Sequence, residues 1–144
     1  MPDNPLMVCA DPERILSAFL RDDADVEEVF SDRVYTVMPK EKSYPMLILS
    51  RWGGYAAVPE VNVLDIAEMQ FDVYGDRKKQ AQDAAQLVRA VLDQRLPAGN
   101  SGDGWVTHAA TSQLRYLPDE ASDPERPRYS FMVRATCRSA VPAA

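Results

Sequence analysis

The sequence predicts an α+β domain, a mostly antiparallel sheet of about four to five strands with two main helices packed on one face. Three observations predict it. From Leu64 to Leu92 the chain reads LDIAEMQFDVYGDRKKQAQDAAQLVRAVL, an alternating strand that turns at Gly75-Asp76 straight into an amphipathic helix. Ala67, Met69, Phe71 and Val73 point to one side of that strand, and Glu68, Gln70 and Asp72 to the other. In the helix, Ala81, Ala84, Ala85, Val88, Val91 and Leu92 recur on one stripe. Further on, Tyr129, Phe131, Val133, Ala135 and Cys137 alternate with Ser130, Met132, Arg134, Thr136 and Arg138. Near the start, Ile15, Leu16, Phe19 and Leu20 form a second helical stripe. A sheet with one apolar face under helices and one polar face follows from these patterns.

The elements follow in order. Residues 1–10 hold two prolines and read as an N-terminal arm, 11–139 as a single domain, and 140–144 as a C-terminal tail. Asp11-Pro12 starts the first helix, with a side-chain acceptor at the N-cap and a proline where its missing N–H is not needed. The acidic run Asp22, Asp23, Asp25 ends it, and Val26 to Phe30 adds a short helical turn. Arg33 to Met38 is a strand closed by Pro39; a second runs from Met46 and stops at Gly53-Gly54. Tyr55 to Asn62 reads as an extended loop before the long strand. After the long helix, Trp105 to Leu117 and Arg128 to Arg138 are expected as a last antiparallel pair. The acidic, proline-rich loop Pro118 to Pro127 between them looks too polar to pack.

Composition narrows the function classes. The 144 residues carry a net charge of −6, which opposes a surface built to neutralise phosphates. Two cysteines, Cys9 and Cys137, offer no metal-ligand spacing and read as small buried hydrophobes. No apolar run reaches the length of a membrane span, and the N-terminus lacks a basic-then-apolar signal pattern. The chain is expected to be made in a reducing cytoplasm.

Catalytic patterns are weak throughout. His108 is the one histidine, placed within a strand. Ser17, Ser50 and Ser112 have no base at a recognisable spacing. Gly99, Gly102 and Gly104 precede a strand rather than the helix N-terminus a phosphate loop needs. The acids at positions 22, 23 and 25 lack the glycine and closing glutamate of a calcium loop. No catalytic residue, metal or cofactor is expected, and a small thiol-dependent or hydrolytic enzyme is a distant alternative. One charge pattern invites a different reading: Arg77, Lys78 and Lys79 open the second main helix, where the macrodipole disfavours each cation by roughly 0.3–1 kcal/mol. They are a candidate contact for an acidic partner, against the plainer reading of tolerated surface charge.

The order of parts resembles the tail terminator, or tail-completion, proteins of long-tailed bacteriophages, especially those of actinobacterial hosts. The resemblance is carried by DPERILSAFL, RVYTVMP, YPMLILSRWGG, the AEMQFDVYGDRKKQAQDAAQLVRAVL unit and RYSFMVRATCR, from about Asp11 to Arg138. It implies a virion protein of the tail-neck region, assembled in the host cytoplasm as a hexameric ring that caps the tail tube and ends its polymerisation. The implied partners are further copies of the chain, the major tail tube protein and the head-tail connector or stopper protein, while DNA passes through the lumen without specific binding. A neck or head-completion protein of the same region is the alternative. The family has no catalytic residues to carry over.

Two surfaces follow. A small protomer terminates a tube by closing a ring, and unpaired sheet edges are natural glue. The segment Arg51 to Asn62, with Arg51, Trp52, Tyr55 and Val58, is therefore the candidate ring interface. The polar strand face of Glu68, Gln70 and Asp72 is a candidate lumen lining. The competing reading pairs those acids with Arg134 and Arg138 on an outer surface.

Overall fold

The computed structural model describes residues 6, 8–57, 64–96, 100–101, 104–121 and 124–139. The fold is α+β, as the patterns predict. Helices α1 (Pro12–Asp22), α2 (Ala24–Phe30) and α3 (Lys78–Arg95) accompany seven strands. These are β1 (Val34–Tyr35), β2 (Met46–Ala56), β3 (Leu64–Tyr74), β4 (Asn100–Ser101), β5 (Gly104–Thr111), β6 (Arg115–Tyr116) and β7 (Arg128–Ser139). The sheet order is β1-β2-β3-β7-β5-β4, with β6 also on β7. Among the described residues, only β1–β2 is parallel. The expected count of four to five is thus exceeded among the described residues, because β4 and β6 are two-residue strands too short to leave an alternation in the sequence.

Alternation sets which face is buried. Ala67, Met69, Phe71 and Val73 on β3, and Phe131, Val133, Ala135 and Cys137 on β7, lie in one core beneath the helices. Phe71 stands opposite Phe131, with ring centroids 5.2 Å apart. From α3, Ala81, Ala84, Ala85, Val88, Val91 and Leu92 enter the same core, the stripe the sequence predicts. From α1, Ile15, Leu16 and Leu20 join them, and Phe19 packs at the margin.

The helix starts follow their caps. Asp11 accepts from the Glu13 and Arg14 amides with Pro12 in the first turn. Asp23 caps α2 in the same way and also binds Arg95 Nη1 at 2.6 Å, tying α2 to the end of α3. Burial would raise the Asp23 carboxyl, but the bond from Arg95 and those from the Val26 and Asp25 amides together hold it below the ordinary range. A depressed carboxyl stabilises the fold above its unfolded pKa, and that contribution disappears as pH falls through the folded value. Arg95→Ala should therefore flatten the acid limb of the stability curve below about pH 4, read as urea midpoints from pH 6 to pH 2. An unchanged acid limb would contradict the pair's role.

Several boundaries differ from the pattern-based expectation. The first strand contracts to Val34–Tyr35, because only this stretch aligns with β2. β2 does not stop at Gly53-Gly54 but runs on to Ala56, against Glu68 to Asp65 of β3. Gly54 admits a close strand approach rather than ending the strand: it has φ +119°, and a Cβ there would sit 2.1 Å from the Ile66 carbonyl oxygen. A bulge falls between Arg51 and Gly53. The expected strand from Trp105 to Leu117 divides into β5 and β6, with Ser112 Oγ accepting the Met132 amide in the gap.

The acidic loop packs where it was expected to float. Asp119 and Arg126 exchange backbone hydrogen bonds, and the Gly75 amide donates to the Pro127 carbonyl at 3.1 Å. Arg126 reaches Asp76 at 3.2 Å and stacks over Tyr44, 4.2 Å from its ring centre. The loop is thereby fastened over the β3–α3 junction.

Candidate assembly surfaces

The long strands carry different chemistry to the two ends of the sheet. One end holds the end of β2, the start of β3 and the end of β7, with Tyr55 opposite Ile66 and Leu64 opposite Arg138. Trp52 and Tyr55 are 69% and 65% exposed there. The other end, where Tyr74 meets Arg128, holds the start of α3 with Arg77, Lys78 and Lys79.

At the aromatic end the candidate ring residues separate into two kinds. Trp52 and Tyr55 offer free aromatic surface. Arg51 does not: its guanidinium makes two bonds to the buried Asp65 carboxylate, one of them Nη2–Oδ1 at 2.8 Å, and its Nε donates to the Gly53 carbonyl. The Arg51 amide donates to Glu13 Oε2 at 2.8 Å. Arg51 thus fixes the bulge that turns Trp52 outward, a role its position in the sequence did not reveal. Val58 lies outside the described residues.

Both sheet edges are partly open. β1 covers β2 only at Leu47 and Ile48, so from Leu49 to Ala56 the outer side of β2 has no strand neighbour among the described residues. On the far edge, β4 covers β5 only at Gly104 and Trp105 among the described residues. Two unlike open edges permit a head-to-tail contact between copies.

Glu68, Gln70 and Asp72 share the face opposite the helices, as their alternation requires, but their groups are engaged within the chain. Glu68 stands opposite Arg134 and pairs with it at 2.7 Å. Asp72 accepts from Ser130 Oγ and from Gln70 Nε2. These bonds favour the pairing reading for Glu68 with Arg134. Asp72 binds a serine and a glutamine instead of an arginine, because Ser130 is its register partner. Beside Glu68 an open groove of about 490 Å³ is lined by Trp52, Ala110, Ser112, Met132 and Arg134.

At the α3 end, Arg77 occupies the N-cap without a side-chain cap bond, and only Lys78 and Lys79 of the three lie in the helix. Gln80 accepts the Asp76 amide at 2.6 Å, reaching one residue further back than in a capping box. Lys78 sits 4.4 Å over the Tyr116 ring, and Lys79 pairs with Asp83 at 3.1 Å. Arg77 and Lys79 line a groove of about 650 Å³ between α2 and α3.

His108 is exposed on β5 opposite Thr136. The thiols are poor nucleophiles. Burial pushes Cys137 up to about 11 with Asp65 adding to it, and burial, then Asp65, also raises Cys9. No helix among the described residues is long and apolar enough to cross a membrane, and no group of three or more His, Cys, Asp or Glu there could hold a metal.

Neither a family model nor a curated protein matches this chain. A solved structure does. The chain is similar to one in a structure titled "Virion of native gene transfer agent (GTA) particle", with 18% identity and a TM-score of 0.53, covering 89% of this chain and 95% of that one. That likeness establishes the fold. The two chains share it over nearly their whole lengths.

Proposed function

We propose that the protein is a virion structural protein of the tail-neck region, a tail terminator that closes into a hexameric ring, caps the tail tube and joins it to the head-tail connector. The observation that carries this reading is the end-to-end likeness to a chain of a gene transfer agent virion. Two unlike surfaces support it, since a ring adaptor needs one surface for its own copies and another for a partner such as the major tail tube protein or the connector or stopper protein. The aromatic flank of Trp52 and Tyr55 serves the ring contact, and Arg77, Lys78 and Lys79 face an acidic partner surface. DNA passes through the lumen without specific binding. This reading gives the protein no enzymatic role, in keeping with its likeness to a chain of a virion particle.

The test is a mass measurement of the purified protein alone, with tail tubes and with connector. A ring that caps tubes supports termination. A ring that binds only connector supports the neck-protein alternative, and a monomer inert to both contradicts both readings. His108→Ala should fold, assemble and cap tubes as the wild type does; a variant that assembles but loses a turnover would overturn the non-enzymatic assignment.

Glu68→Lys with Asp72→Lys separates the two readings of the polar face. The Glu68–Arg134 pair favours an outer surface, so we expect a lower ring melting temperature and normal DNA ejection from the particles that form. Normal tails with slow ejection that recovers as salt rises would instead place these residues in the lumen.

A further inference from the structure

We infer that the N-terminal arm of one copy seats Leu6 and Val8 in the Trp52 groove of the next copy. The inference rests on the ring reading and names the contact that would hold the ring. Leu6 and Val8 are 90% and 75% exposed, two large aliphatic side chains in an arm whose residues from Leu6 to Ala10 carry no charge. Two residues apart, they would stand on the same side of an extended arm laid into that groove. The groove formed by Trp52, Glu68, Ala110, Ser112, Met132 and Arg134 offers them an apolar floor.

Reach decides whose groove is filled. The arm is fastened where it meets the sheet: Ser139 Oγ donates to the Val8 carbonyl at 3.1 Å and accepts the Ala10 amide at 3.0 Å. Ala10 belongs to the core on the helix-bearing face, whereas the groove opens on the opposite face. Along β7, Arg134 precedes Ser139 by five residues, about 17 Å of strand. Leu6 extends at most about 7 Å beyond Val8. Leu6 and Val8 therefore cannot fill their own chain's groove while Ser139 holds the arm, and a second copy must supply it.

The contact is head-to-tail, because arm and groove are different surfaces, and so it can close a ring.

Two measurements test the inference in the full-length protein. Leu6→Asp with Val8→Asp should fold with an unchanged melting temperature, since both side chains are exposed, yet sediment as a monomer at concentrations where the wild type is a ring. In a Cys9→Ser background, Leu6→Cys with Ala110→Cys should oxidise to a ladder of covalent oligomers, while each single cysteine variant gives at most dimers. Rings of wild-type mass in the aspartate variant, or rings without a ladder in the double cysteine variant, would overturn the arm contact and leave the ring reading standing. A wild-type protein that stays monomeric, alone and on tail tubes, would overturn both.

Discussion

Replacing Trp52 and Tyr55 together by serine is expected to abolish ring formation and tube capping while leaving the domain folded. Both rings are mostly in solvent, at 69% and 65% exposure. Exposed positions of this kind usually change stability by no more than about 0.5 kcal/mol. Aromatic anchors at the centre of an interface are commonly worth about 2 kcal/mol or more each, roughly a thirtyfold loss of association per residue. Every contact around a ring repeats the loss, so the double variant should sediment as a monomer at micromolar concentration with a near-wild-type urea midpoint. Substitution is cleaner than deletion here, because Tyr55 and Ala56 pair with Ile66 and Asp65 in the β2–β3 ladder. A serine variant that still caps tubes would remove these residues from the interface.

The largest single effect on the fold should come from Asp65→Ala. Asp65 is buried, and its carboxylate faces Arg51 across two hydrogen bonds. Removing one member of a buried pair strands the other charge, which costs about 3–5 kcal/mol. The Arg51 side chain keeps 32% of its exposure and so recovers some hydration. We therefore expect about 2–3 kcal/mol, a sizeable share of the 5–15 kcal/mol typical of a whole domain. Arg51→Met in the same chain should restore much of the loss by removing the stranded charge. The readout is the urea midpoint at constant slope; an unshifted midpoint would show that Arg51 and Asp65 contribute nothing as a pair. Assembly should suffer too, because the pair holds the bulge beside Trp52.

Periodicity alone identified the buried half of the molecule. The α3 stripe, the alternation of β3 and β7 and the Asp11 and Pro12 start of α1 are local consequences of 3.6- and 2-residue repeats and of cap chemistry, so they are legible one segment at a time. Where pairing between distant segments decides the outcome, the sequence was silent or misleading. Gly53-Gly54 looks like a stop, yet at Gly54 β2 approaches the Ile66 carbonyl closely enough that only glycine fits. Arg51 reads in the sequence as a candidate ring contact, yet Asp65, fourteen residues away, claims it. The acidic loop looks solvated, yet Arg126 and the Pro127 carbonyl fasten it over the β3–α3 turn. Glu68 found Arg134, as the cross-strand alternative anticipated, while Asp72 found Ser130, because antiparallel register assigns each residue one partner. The sequence by itself determined the apolar stripes of α1, α3, β3 and β7 that meet in the core. Only the tertiary structure decided which polar groups are consumed internally and which aromatic and aliphatic side chains remain free for assembly, since that depends on partners far apart in the chain.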